Sequence, residues 1–88
     1  MRIREVEDLV KEWIEGRTIR EKAAVTSNYT AFGDFLMWLE IKRKSGVIDA
    51  YQWISAIRQA GLEQVNESTG LIIRGIRLKG SDEKLTDV

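Results

Sequence analysis

The stretch that most constrains the fold runs from Asp49 to Lys79, where a helix with marked ends leads directly into a β-hairpin. Asp49 is a natural N-cap with Gln52 at the reciprocal capping-box position, and Gly61 follows the last periodic residue as a stop signal. The apolar residues between these ends recur at helical spacing, so one stripe must be buried. That stripe consists of Ala50, Trp53, Ile54, Ile57 and Ala60.

The opposite face of this helix carries mostly uncharged hydrogen-bonding groups and one cation. Its members are Tyr51, Gln52, Ser55, Arg58 and Gln59. Such side chains suit base edges and phosphates, whereas a solvated face usually carries more Glu and Lys. We therefore predict a DNA-reading face, with simple solvent exposure as the alternative.

The hairpin is predicted from a short strand at Leu62–Val65, a turn at 66–70 and a return strand at Leu71–Lys79. Strict alternation would place Arg74 on the same face as the apolar residues of the return strand, so Gly75 is interpreted as a bulge that resets the register. The cations of this strand, Arg74, Arg77 and Lys79, are candidates for phosphate contact, with solubilisation as the alternative.

Two further helices precede this stretch. The first is predicted at residues 3–15, is ended by Gly16, and has an acidic outward face that indicates a scaffold role or a dimer surface. Residues 17–27 are predicted as an extended connection that ends in a brief strand, although Thr18 and Glu21 also fit a capping box for a short helix.

The second helix is predicted at about residues 28–44, after the N-cap residues Thr26, Ser27 and Asn28. We expect it to be the central core helix, burying Tyr29, Phe32, Phe35, Leu36, Trp38, Leu39 and Ile41. Trp13 and Trp53 are predicted to join Trp38 in the core. Lys42, Arg43 and Lys44 close the helix, either to complement its dipole or to contact a DNA backbone.

Charge is balanced over the chain but unevenly distributed. The 14 basic and 14 acidic residues cancel, which argues against a polycation that coats nucleic acid. Residues 1–16 hold five acids and three bases, and residues 81–88 hold three acids and one base, so the middle of the chain is basic. We predict a domain at 1–80 and a disordered acidic tail at 81–88.

Most enzyme chemistry lacks the residues it needs. The sequence has no His, no Cys, no phosphate-binding loop and no zinc-ligand spacing. The acids of the first helix fall on a face where solvated carboxylates are expected. We therefore predict a protein without catalytic activity, cofactor or small-molecule substrate. The absence of a signal peptide and of a long apolar run predicts a cytoplasmic protein with no membrane partner.

The order helix, short strand, helix, helix, hairpin is that of an α+β winged helix-turn-helix domain, whose second helix-turn-helix member enters the major groove. The chain also resembles the C-terminal winged-helix domain of virus-type primase-helicases of phages, plasmids and large DNA viruses. The similar segments are SNYTAFGDFLMWL with Tyr29, Phe32 and Trp38, then WISAIRQAG with Trp53, Ile57 and Gly61, and then Gly75 to Lys79.

The resemblance, which covers residues 3–79, implies binding of double-stranded DNA in the replication of a mobile element. It implies a recognition helix at 49–60 and a wing at 65–72. That family's domain is normally attached to an ATPase, which this chain lacks, so it is either a free-standing protein or an excised domain. Whether its role is in replication or in transcription also stays open. The rival expectation is a protein-interaction module or small inhibitor with the same fold. A homodimer that binds two half-sites also remains open.

Overall fold

The computed structural model describes residues 2–44 and 46–79. Its elements are α1 (Ile3–Arg17), β1 (Thr18–Ser27), α2 (Asn28–Ile41), α3 (Ala50–Gln59), β2 (Glu63–Glu67) and β3 (Gly70–Leu78). The strands form one antiparallel sheet in the order β1-β3-β2. The predicted α+β class with three helices is confirmed. The predicted acidic tail at 81–88 lies outside the described residues.

One aromatic ring from each helix meets in the centre of the core. Trp13 of α1, Phe35 of α2 and Trp53 of α3 are completely buried. The ring centroids of Trp13 and Trp53 are 5.5 Å apart, and those of Phe35 and Trp53 are 5.1 Å apart. Trp38 is also buried, so all three tryptophans belong to the core as predicted. The Trp13–Trp53 contact is edge-to-face, with an interplanar angle of 66°, and contacts of this kind stabilise a core beyond the area they bury.

Helix α1 continues through Gly16, so the predicted end at residue 15 was wrong. A single helical glycine is unfavourable by only about 1 kcal/mol, and tertiary contacts outweigh that penalty. Arg17, in the last turn, donates a hydrogen bond from Nη2 to Oδ1 of Asp34 over 2.9 Å. The helix ends at Thr18, which turns extended and donates from Oγ1 to the carbonyl oxygen of Ile14 over 2.6 Å.

Strand β1 has ten residues, so the prediction of only a brief strand after an extended connection was wrong. It pairs with β3 in two segments, from Thr18↔Leu78 to Arg20↔Ile76 and from Val25↔Arg74 to Ser27↔Ile72. Between them, residues 21–24 of β1 stand opposite Gly75 alone, which has a φ of 98°. The predicted register reset at Gly75 is confirmed, but the additional residues belong to β1.

Helix α2 starts after Ser27, whose Oγ accepts from the backbone N–H of Thr30, as the cap residues predicted. It ends at Ile41 and not at Lys44. Its core side consists of Ala31, Phe35, Trp38 and Leu39, with Phe32 partly buried against them. The prediction that Tyr29, Leu36 and Ile41 are buried was wrong, because all three are exposed.

The hairpin is longer and tighter than predicted. Strand β2 begins at Glu63 and continues to Glu67, which pairs with Gly70, so only Ser68 and Thr69 form the turn. The predicted turn at 66–70 was therefore too long. Gly70 has a φ of 126°, a conformation that glycine tolerates and other residues rarely adopt.

Candidate nucleic-acid interface

Helix α3 has the ends that the sequence predicted. Oδ1 of Asp49 accepts from the backbone N–H of Gln52 over 2.9 Å, and Oε1 of Gln52 accepts from the backbone N–H of Asp49 over 3.2 Å. Gly61, with a φ of 87°, follows the last turn. The helix is tied to α2 by the indole N–H of Trp53, which donates to Oδ1 of Asn28 over 2.8 Å. These bonds fix the direction in which its outer face points.

The buried stripe of α3 differs from the prediction at two positions. Trp53 and Ile57 are buried, and Ile54 and Ala60 are partly buried, as expected. Ala50 is exposed, while Ala56 is buried in the core. Because α3 has only ten residues, its first position lies at the edge of the contact, and the small side chain of Ala56 fits the centre.

Four of the five predicted reading residues stand on the exposed face of α3. Tyr51 has 83% of its surface exposed, and Ser55, Arg58 and Gln59 are exposed as well. Gln52 is only half-exposed, and the oxygen of its side chain already accepts the capping hydrogen bond. The structure therefore gives Gln52 a structural role that the other four do not have.

The turn between α2 and α3 is built on an arginine in an unusual conformation. The backbone N–H of Lys44 donates to the carbonyl oxygen of Leu39, and that of Arg43 donates to Glu40, each over 3.0 Å. These two bonds are the Schellman pattern that ends many helices, and its left-handed position usually holds glycine. Here it holds Arg43, whose φ is 58°. The same pattern ends α3 with Gly61 in that position.

All three cations of this turn are exposed at the surface. The ammonium group of Lys42 lies 6.0 Å from the ring centroid of Trp38, at the limit of a cation–π contact. The turn therefore presents a positive surface between α2 and α3.

The cations of β3 lie on a different surface. Ile73, Ile76 and Leu78 face the core, so Arg74 and Arg77 lie on the outer face of the sheet. Nε of Arg77 donates to Oε2 of Glu21 in an ion pair, which balances its charge. Arg74 and Lys79 are exposed. The structure does not place Arg74 and Arg77 on the same face as the α3 residues.

A groove of about 520 Å³ on the outer face of the sheet adjoins Arg74. It runs between the bulged segment of β1 and the hairpin turn, and Lys22, Ser68 and Thr69 contribute a cation and two hydroxyls to its lining. Lys22 is not among the residues predicted from the sequence for this site. No local signal marks this residue, because only the cross-strand register brings it beside the hairpin.

A partly buried carboxylate holds α1 against α2. Oδ2 of Asp34 accepts from the indole N–H of Trp13 over 2.8 Å, and both Asp34 oxygens accept from Arg17. Partial burial alone would raise the pKa of the Asp34 carboxyl, but the hydrogen bonds from Arg17 and Trp13 and the charge of Arg17 hold this pKa below its ordinary value. The network belongs to the scaffold of the three helices.

The described residues contain no group of three His, Cys, Asp or Glu side chains arranged to hold a metal ion. Among the helices in residues 2–44 and 46–79, none is long and apolar enough to cross a membrane. Comparison with protein-family models, with curated proteins and with solved structures found no match to this chain.

Proposed function

We propose that this chain is a winged helix-turn-helix protein that binds double-stranded DNA. In this proposal α2 and α3 form the helix-turn-helix, α3 enters the major groove, and the β2–β3 hairpin is the wing. The proposal rests on two exposed surfaces that follow one another along the chain, the basic residues 42–44 and the outer face of α3. The exposed cations Lys42, Arg43 and Lys44 follow α2, and the outer face of the next helix, α3, is polar, hydrogen-bonding and exposed.

The conformation of Arg43 supports the same proposal. A left-handed conformation is unfavourable for a residue with a side chain by roughly 1–2 kcal/mol. Strained positions of this kind cluster where the side chain serves a function. Phosphate contact by the guanidinium of Arg43 accounts for the presence of arginine where glycine would be more stable.

The roles of the selected residues follow from their surroundings. Tyr51, Ser55, Arg58 and Gln59 read base edges, and Lys42, Arg43 and Lys44 contact the adjacent backbone. Lys22 and Arg74 line the groove on the outer face of the sheet, on a different face from the α3 residues, and are assigned no contact with the duplex that α3 enters. Arg77 contributes through its ion pair with Glu21 and not as a phosphate ligand. By resemblance, the process is replication or transcription control of a mobile element in the cytoplasm.

The test is fluorescence anisotropy on labelled duplex pools at low salt, about 50 mM, where the Debye length is about 14 Å. Binding should weaken linearly with salt on a logarithmic scale, with a slope of about −0.9 for each phosphate contact. Arg43→Ala should reduce the magnitude of this slope by about one. Arg4→Ala, at an exposed arginine on the acidic helix α1, is the matched control and should leave the slope unchanged.

The reading face is tested by a selection for bound oligonucleotides. If α3 reads bases, Arg58→Ala should relax the selected motif at one position and cost about 1–3 kcal/mol of binding free energy there. Absence of binding to any duplex at low salt would contradict the proposal. The rival function, a protein-interaction module, would then be tested by pull-down from host lysate with and without nuclease.

A further inference from the structure

Helix α2 carries a second apolar face that no part of the described chain covers. Tyr29 is 87% exposed, Ile41 74%, Met37 56% and Leu36 42%. At about 100° per residue these positions form an arc about 140° wide on the side of α2 away from Phe35 and Leu39, with Leu36 at the edge nearest Leu39. The arc also carries Thr30 and Glu40, but four large apolar side chains stand in solvent on a side where a helix normally presents polar groups. Within one chain, therefore, only the core side of α2 is covered.

We infer that this face binds a second copy of the same chain, and that α2 packs against α2 about a twofold axis. The size of the face supports a partner of equal size. A tyrosine offers about 200 Å² and an aliphatic side chain about 100 Å², so the exposed fractions correspond to roughly 350 Å² of apolar surface per copy. Two copies bury roughly 700 Å². Homodimer interfaces are about 65% apolar, which gives a total near 1,000 Å².

That total is the lower limit for a specific interface, so the dimer is weak and forms with increasing concentration. The charge pattern is compatible with self-association, because Glu40 stands between Leu36 and Met37, Asp34 beside Met37 and Ile41 is paired with Arg17, and the cations of the turn begin only at Lys42. A twofold axis brings the same residues of both copies together. Gly33 lies in the middle of the face, where the absence of a side chain allows close approach of two helices.

Gly33 also provides the sharpest test, since the chain contains no cysteine. A Cβ at Gly33 has no neighbour within 4 Å, and the same is true of Gly16 in α1. Gly33→Cys should form an intermolecular disulfide under mild oxidation, because a bridge requires two Cα atoms about 5.5–6 Å apart. Gly16→Cys is the matched control and places the thiol on the helix whose acidic face was the earlier candidate for a dimer surface. It should stay reduced.

The association itself is measured by sedimentation velocity over a wide range of concentration. Mass should double at micromolar concentrations or above, Met37→Glu should abolish the doubling, and Val25→Glu should not. Val25 is a matched control because it is 57% exposed and lies on the outer face of the sheet. Circular dichroism checks that both variants fold. If Met37→Glu does not fold, the comparison of Gly33→Cys with Gly16→Cys still decides the question.

A monomer at every concentration would overturn the inference, and so would equal cross-linking of the two cysteine variants. This inference does not depend on DNA binding. Both measurements are made without nucleic acid, so failure of one proposal leaves the other intact.

Discussion

Arg43 is a residue whose stability and function are expected to conflict. Arg43→Gly should raise the free energy of unfolding by about 0.5–1 kcal/mol, because glycine adopts the left-handed conformation at φ 58° without steric penalty. The same variant should bind DNA as weakly as Arg43→Ala. Urea denaturation and anisotropy measure the two effects, and Lys44→Gly is the control that should not stabilise. Unchanged or lower stability of Arg43→Gly would contradict the strain argument.

Asp34 is the residue from which we expect a pH effect. Its pKa is lowered in the folded state, so its contribution to stability is complete above the unfolded pKa of about 3.9 and is lost as pH falls through the folded pKa. Asp34→Asn should remove this part of the acid dependence. Asp34→Ala should cost about 2 kcal/mol at neutral pH, since it leaves the buried N–H of Trp13 without its acceptor. Parallel loss of stability below pH 4 in wild type and Asp34→Asn would argue against this role.

At the scale of elements, two glycines should respond in opposite ways to the same substitution. Gly16 lies inside α1, is exposed and has open space at its Cβ, so Gly16→Ala should stabilise the protein by about 0.5–1 kcal/mol. Gly61 has a φ of 87°, so Gly61→Ala should destabilise it by about 1 kcal/mol or more. Thermal unfolding of the two variants provides the measurement. If Gly61→Ala were neutral, the Schellman end of α3 would be in doubt.

The same elements show how far local sequence determines structure. The limits of α3 could be predicted because Asp49, Gln52 and Gly61 act on the backbone within a few residues of themselves. The length of β1 could not, since its hydrogen bonds are made with β3, about fifty residues later. The buried side of α2 could not be predicted either. A helix with apolar residues on both sides has no single stripe, and the side that faces inward is set by packing against other elements, among them Trp13 and Trp53 on the neighbouring helices.

The same difference between local and long-range contacts applies to the candidate site. The exposed face of α3 and the basic turn are properties of one continuous segment, and the structure exposes both. The pairing of Arg77 with Glu21 and the position of Lys22 depend on the β1–β3 register, which cannot be obtained from either strand alone. Gln52 fits two roles in the sequence, and only the geometry assigns its oxygen to the cap.

At the scale of the whole molecule, the shared aromatic cluster predicts cooperative unfolding. The fully buried rings of Trp13, Phe35 and Trp53 come one from each helix, so no helix can leave the core without exposing the rings of the other two helices. Tryptophan fluorescence and far-ultraviolet circular dichroism should therefore give coincident urea transitions. Separate transitions would indicate that the sheet or one helix unfolds independently.

The pairing of β1 with β3 also determines the order in which the molecule can be completed. Within residues 2–44 and 46–79, β1 has no other strand partner, and its first residue, Thr18, pairs with Leu78. On a ribosome, α1 and β1 emerge early, but their sheet cannot close until nearly the whole described chain has been synthesised. The domain can therefore reach its native structure only after β3 has been translated and has paired with β1.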